Sequence, residues 1–182
     1  MGKIAVHEFI SLDGVIEDPR WTADYPFDPR MGQAIAGIMG ASGALLLGRR
    51  TYEMFAPAWS GRTADQDPGA PFMNESTKYV VSGTLSSGDW SNSEILGPYS
   101  AETIRALKTR VDGNLYVSGS GKLVQAMLAD GLVDELHLFV FPVVLGSGQR
   151  LFADGNGPVK LSLGGCEAYD SGVVHLTYAP AA

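Results

Sequence analysis

The chain has 182 residues, enough for one domain with a substantial core, expected to span 1–182. Hydrophobic residues make up 45% and charged residues 18%, a globular composition rather than a disordered one. The net charge of −7 argues against nucleic acid or anionic membrane as partner, but leaves room for one local basic pocket.

Lys3 to Ile10 reads as a strand, and "SLDGVIEDPRW" as the loop that follows it. Asp28-Pro29 marks a helix start, with the acid as N-cap. Met31, Ile35, Ile38 and Met39 then share one helical stripe, which Gly43 should end. Ala44 to Leu47 is a short apolar run, a buried strand, and Arg49 to Phe55 a short helix. The stretch "SGRTADQDPGAP" is a loop, and "KYVVSGTL" a strand with its turn. Ser100 opens a helix with Ile104, Leu107 and Val111 on one face. "NLYVSGSGKLVQAMLADG" gives a strand, a glycine turn and a helix stopped by Gly131. "DELHLFVFPVVLG" is a long apolar strand broken near Pro142, and two tail strands join at Asp170-Ser171-Gly172. Strands that alternate with helices and end in a hairpin predict a three-layer α/β/α fold. Its central sheet should be mostly parallel, with a C-terminal antiparallel hairpin.

Three strand ends carry residues suited to phosphate. Gly119, Ser120 and Gly121 lie between a strand and a helix, where small residues and free helix N–H groups suit an anion. The turn is not a P-loop, since Tyr116 and Leu123 stand where glycine and Ser/Thr are needed. Nor is it a dinucleotide fingerprint, whose third glycine would fall on Val124. Gly48, Arg49, Arg50 and Thr51 follow the leucine strand, where an arginine can grip phosphate with a planar fork. Ser82 and Thr84 follow a third strand. In open α/β sheets ligands sit at the carboxyl ends of strands, so one extended ligand, a dinucleotide with an extra phosphate, would use all three.

"SLDGVI", "LLLGRRTYEMF", "KYVVSGT", "LYVSGSGKLVQAML" and "GLVDELHLFVFPVVLGSGQRLF", in this order, resemble the dihydrofolate reductase superfamily. The likeness runs from about Ile4 to Phe152 and is greatest to the C-terminal reductase domain of the bifunctional riboflavin-biosynthesis deaminase-reductase. No H-x-E…P-C-x-x-C deaminase signature occurs, so no deaminase half is expected. The resemblance implies NADPH as cofactor. Gly48, Arg49, Arg50 and Thr51 would hold its phosphates, Ser82 and Thr84 would line its adenosine end, and Gly119, Ser120, Gly121, Lys122 and Leu123 would carry its pyrophosphate. It implies hydride transfer to a small pyrimidine- or pterin-like substrate, resembling 5-amino-6-(5-phosphoribosylamino)uracil reductase. The alternatives are dihydrofolate reductase activity, or an NADP(H)-binding protein without efficient catalysis. It also implies a homodimer. Candidate substrate contacts are Asp13, Trp21, Phe27, Asp28, Phe55 and Trp59. Dihydrofolate reductases carry an acid on the first helix; the position here, counted back from Gly48, is Gly32, and the nearest carboxylate is Asp28.

Other chemistry finds no support. The histidines, His7, His137 and His175, are far apart in sequence without metal spacing, and the last two fit strand positions as structural residues. Cys166, the single cysteine, cannot form an internal disulfide and reads as buried filler. No apolar run reaches the ~18 residues of a membrane span, and no signal-peptide pattern is present. A cytoplasmic protein is expected.

Overall fold

The computed structural model describes residues 2–152 and 157–181. In chain order the elements are β1 (Ile4–Ser11), a 3-10 helix (Pro19–Asp24), α1 (Pro29–Gly40), β2 (Ser42–Gly48), α2 (Arg49–Trp59), α3 (Ala70–Glu75), β3 (Thr77–Val81) and β4 (Ser93–Gly97). There follow α4 (Ala101–Arg110), β5 (Asn114–Ser118), α5 (Gly121–Ala129), β6 (Glu135–Phe141), β7 (Leu161–Ala168) and β8 (Val174–Pro180). The strands form one sheet in the order β4-β3-β2-β5-β1-β6-β8-β7. Strands β1 to β6 pair in parallel, while β8 runs antiparallel to both β6 and β7.

Alternation along β1 divides the core. Ile4, Val6 and Ile10 join Leu115 and Val117 of β5 under α4 and α5, through Ile104, Leu107, Leu123, Val124 and Met127. Ala5 joins Leu45, Leu47, Tyr116 and Phe139 under α1, α2 and α3, through Met31, Ile38, Tyr52 and Met73. A parallel sheet buried on both faces needs such near-continuous apolar strands, which explains the leucine run of β2. The three-layer arrangement and the antiparallel hairpin agree with the sequence-based expectation.

Helix starts also follow the sequence. Asp28 accepts a hydrogen bond from the Arg30 backbone N–H (2.9 Å), and Ser100 from that of Thr103 (3.4 Å). Differences have local causes. α1 stops at Gly40 rather than Gly43, because β2 already starts at Ser42, whose hydroxyl donates to the Ile38 carbonyl. α2 continues past Phe55 to Trp59, with Pro57 in its last turn. α3 and β4 have six and five residues, too short to show a clear period, and α3 begins inside the stretch expected as a loop. Cys166 is exposed, not buried. It lies on β7, the outermost strand, where apolar neighbours in sequence do not imply a covering layer.

Candidate functional site

β2 and β5 are neighbours in the sheet, and each passes directly into a helix at its carboxyl end. The N-termini of α2 and α5 therefore lie side by side. Gly119 and Ser120 both have φ near 70°, a left-handed conformation that strains a residue with a side chain. Ser120 is held there from outside: its hydroxyl accepts from the Gly48 backbone N–H (2.7 Å) and donates to the Thr51 hydroxyl (2.8 Å). The two predicted segments, Gly48–Thr51 and Gly119–Leu123, are thus tied into one unit.

That tie leaves both helix starts open. Ser120 and Gly48 occupy the N-cap positions of α5 and α2, and neither helix has a side-chain cap, whereas α1 and α4 do. First-turn N–H groups at the positive end of each helix dipole have no side-chain acceptor among the described residues. The space above them depends on glycine. A Cβ on Gly119 would lie 3.3 Å from Thr51 Cγ2, one on Gly48 3.2 Å from Ser120 Oγ, and one on Gly121 2.5 Å from Gln149 Nε2.

The cations stand at the rim. Arg49 and Arg50 are exposed in the first turn of α2, and Lys122 in that of α5, while Leu123 is buried beneath. Arg49 pairs with Glu53 one turn later (3.0 Å); Arg50 has no ion pair among the described residues. β3 adjoins β2, which puts its turn on the same sheet edge. There Ser82 is buried, and its hydroxyl accepts from the Thr84 and Leu85 backbone N–H groups (3.2 and 2.9 Å). Ser82 thus shapes the turn, and Thr84 is the exposed residue of the pair.

The proposed substrate contacts divide. Trp21, Phe55 and Trp59 all pack at the margin of the core layer under α1 and α2. Trp21 meets Phe141 edge-on (centroids 5.4 Å apart), and Phe141 meets Phe9 and Tyr25 the same way. Phe9, Tyr25 and Phe141 extend this aromatic wall beyond what sequence reasoning named; strand alternation places Phe9 opposite Ile10 but not beside Trp21. Phe27 stands outside the wall, 64% exposed, with its ring against Gly32. Asp28 is committed to capping α1 and pairing with Arg30, whose hydrogen bond leads in holding its pKa down to about 2. Asp13 is likewise occupied. It accepts from Ser11 Oγ and from the Leu145 and Gly146 N–H groups, and these bonds bring its pKa to about 2. Its side chain ties the loop after β1 to the loop after β6.

Sequence reasoning also missed the burial of His7 and the contact between the two histidines it assigned to strands. His7 on β1 meets the Tyr116 hydroxyl (2.7 Å) between Phe9 and Phe139, and burial keeps its imidazole neutral with a pKa near 3. His137 and His175, distant in sequence, stack across β6 and β8 with ring nitrogens 3.2 Å apart. No group of three or more His, Cys, Asp and Glu among the described residues can hold a metal ion. One cavity of about 270 Å³ lies between α1 and the His137–His175 pair, and another of about 410 Å³ lies between α2 and the loop after β3, flanked by Glu53, Leu85 and Asp89. Two carboxylates at its wall make the second unsuited to phosphate. No helix of the described residues is long and apolar enough to cross a membrane.

The RibD C-terminal domain family matches residues 2–175. The Bacillus subtilis protein YyaP is 28% identical over 184 residues, covering 97% of this chain and 94% of YyaP. A Shewanella sp. PV-4 structure superposes with a TM-score of 0.82 at 22% identity, over all of both chains. The Thermotoga maritima diaminohydroxyphosphoribosylaminopyrimidine deaminase/5-amino-6-(5-phosphoribosylamino)uracil reductase gives 0.71 at 20% identity, over 99% of this chain and 57% of that one. Enterococcus faecalis dihydrofolate reductase, solved with NADP(H), gives 0.64 at 16% identity, over 100% and 98%. At these identities the structures establish the fold, which is dihydrofolate reductase-like.

Proposed function

The chain belongs to the RibD C-terminal domain family, and on that premise we propose that it is an NADPH-dependent reductase acting on a small pyrimidine- or pterin-like compound. The observation that carries this reading is the pair of uncapped helix starts, α2 and α5, joined through Ser120, Gly48 and Thr51. Their open N–H groups suit a pyrophosphate, and the glycines give it room. Arg49 and Arg50 stand where a further phosphate would be gripped, which favours NADPH over NADH. Bound NADPH would supply the hydride.

On the substrate side the chain offers an aromatic wall, Phe9, Trp21 and Phe141, against which a flat ring can rest. No carboxylate of α1 stands free, since Asp28 caps its own helix. This favours an acceptor that needs less from a placed acid, such as the carbonyl of an opened ribose, whose oxygen can take its proton from water as the hydride adds to carbon, over a pterin nitrogen that must be protonated. It supports a reaction like that of the uracil reductase before dihydrofolate reduction. An NADP(H)-binding protein without efficient turnover is the second reading, on the same lack of a placed acid. A homodimer in the cytoplasm, without nucleic acid or membrane partners, belongs to the proposal.

Titration of the protein with NADPH, followed by cofactor fluorescence, tests the site. Saturable binding is expected, and no signal would remove the reading. NADPH oxidation with 5-amino-6-(5-phosphoribosylamino)uracil and with dihydrofolate then tests the acceptor. Faster turnover of the aminouracil is expected; turnover of dihydrofolate alone would reverse the preference.

A further inference from the structure

The loop after β6 comes back over the start of α5. On one side it is bound to the loop after β1. The Ile16 N–H donates to the Gln149 carbonyl (2.9 Å), the Leu151 N–H to that of Gly14 (2.9 Å), and the Gln149 N–H to Glu17 Oε2 (3.1 Å). Asp13 holds its near end through the Leu145 and Gly146 N–H groups. On the other side, Gln125 of α5 donates to the Arg150 carbonyl (2.9 Å). Gln149 is therefore fixed between α5 and the loop after β1. The packing is close: a Cβ on Gly121 would lie 2.5 Å from Gln149 Nε2 and 2.7 Å from Ile16 Cδ1. The main chain of Gln149 is hydrogen-bonded in both directions, while its half-buried carboxamide makes no hydrogen bond among the described residues. The amide nitrogen, the donor end, is the part of that side chain nearest to Gly121.

We infer that Gln149 is a further cofactor-contact residue, whose side-chain N–H donates to the pyrophosphate seated on the first-turn amides of α5. This rests on the cofactor reading given above. Gly121 is the first residue of α5, and its amide is one of the open N–H groups there. Glycine at this position lets the carboxamide come down to the level of those amides, which a Cβ would obstruct. An amide suits the place, because it donates to an anion without bringing a charge of its own. Glu17, the carboxylate bonded to this residue, takes the Gln149 backbone N–H and leaves the carboxamide free of it. Pyrophosphate is common to NADPH and NADH, so Gln149 serves both alike, whereas Arg49 and Arg50 separate them. The loop reaches α5 because β6 lies beside β1 and β1 beside β5, an order that strand patterns alone do not give.

The test is the affinity of NADPH and NADH, measured by cofactor fluorescence, for the wild-type protein and for Gln149→Ala, Gln149→Glu and Gln149→Lys. A hydrogen bond to a charged group accounts for about tenfold in affinity, so Gln149→Ala binds both nucleotides about tenfold more weakly. Gln149→Glu keeps the shape, loses the donor and adds repulsion, and binds both more weakly still. Gln149→Lys restores a donor and binds both more tightly than Gln149→Ala, which separates contact from packing. Wild-type affinity in Gln149→Ala and Gln149→Glu overturns the contact and leaves the cofactor site standing. Equal weakening in all three variants does the same, because packing alone then explains it. A loss confined to NADPH also overturns it, by moving Gln149 to the 2′-phosphate. No binding of either nucleotide by the wild-type protein overturns the cofactor reading and this contact with it.

Discussion

Arg49 and Arg50 are adjacent but keep different company. Arg49 shares its guanidinium with Glu53, both partly exposed, whereas Arg50 has no ion pair among the described residues. A phosphate at the α2 start would draw Arg49 away from Glu53. Exposed pairs of this kind are worth only ~0.2–1 kcal/mol, so the competition is weak. Glu53→Gln should then strengthen NADPH binding by up to about fivefold at low salt, as read by titration. Weaker binding would mean that Glu53 orients the arginine rather than restraining it. The two adjacent arginines were legible in sequence; the pairing of Arg49 with Glu53 came only with the structure. Glu8 was legible in part. A carboxylate inside an apolar strand is visible, but its burial beside β5 depends on sheet order. Asp13 shows the opposite case: its turn was legible, while its bonds to Leu145 and Gly146 were not.

The strand–turn–helix from Asn114 to Ala129 is where geometry demands most of the sequence. Gly119 takes a φ of 70°, and a Cβ there would also press on Thr51. Left-handed backbone costs a residue with a side chain ~1–2 kcal/mol. Gly119→Ala should lower the thermal midpoint by about 2–8 °C and weaken NADPH binding as well. An unchanged midpoint would show that the turn relaxes without cost. At the other side of the sheet, β6 and β8 are joined by stacked rings: His175 lies on Phe139 with centroids 4.2 Å apart, and beside His137. Burial first, then the His137 charge, lowers the His175 pKa to about 4. Its neutral form belongs to the fold, so this pairing loses stability as pH falls from about 6.5 toward 4. Glu8 works the other way: its folded pKa is raised, so its contribution is lost as pH rises from 4.5 toward 8. His175→Phe should keep the ring stack and reduce the drop in thermal midpoint between pH 7 and pH 5. An undiminished drop would place acid sensitivity elsewhere. β6 and β8 were readable in sequence, but the histidine pair was not, because antiparallel register decides which residues face one another.

At the scale of the molecule, strand order makes the site. The sequence shows three strand ends suited to phosphate, but only the order β3-β2-β5 puts them on one edge. The hairpin at the far edge has the opposite character. β7 is largely exposed, including Leu163 at 59%, and the proposed homodimer is expected to cover this face. Leu163→Glu should then shift the mass in solution from dimer toward monomer, as measured by light scattering; an unchanged dimer would move the interface elsewhere. The central claim concerns the cofactor crevice, and the direct measurement is the affinity of NADPH and NADH for the wild-type protein and for R49A/R50A. A charged hydrogen-bond set worth ~1.5–3 kcal/mol corresponds to about 10- to 100-fold in affinity. The wild-type protein should prefer NADPH by that factor, and the double variant should lose the preference while NADH binding stays nearly constant. Equal losses for both nucleotides, or no binding of either, would contradict it.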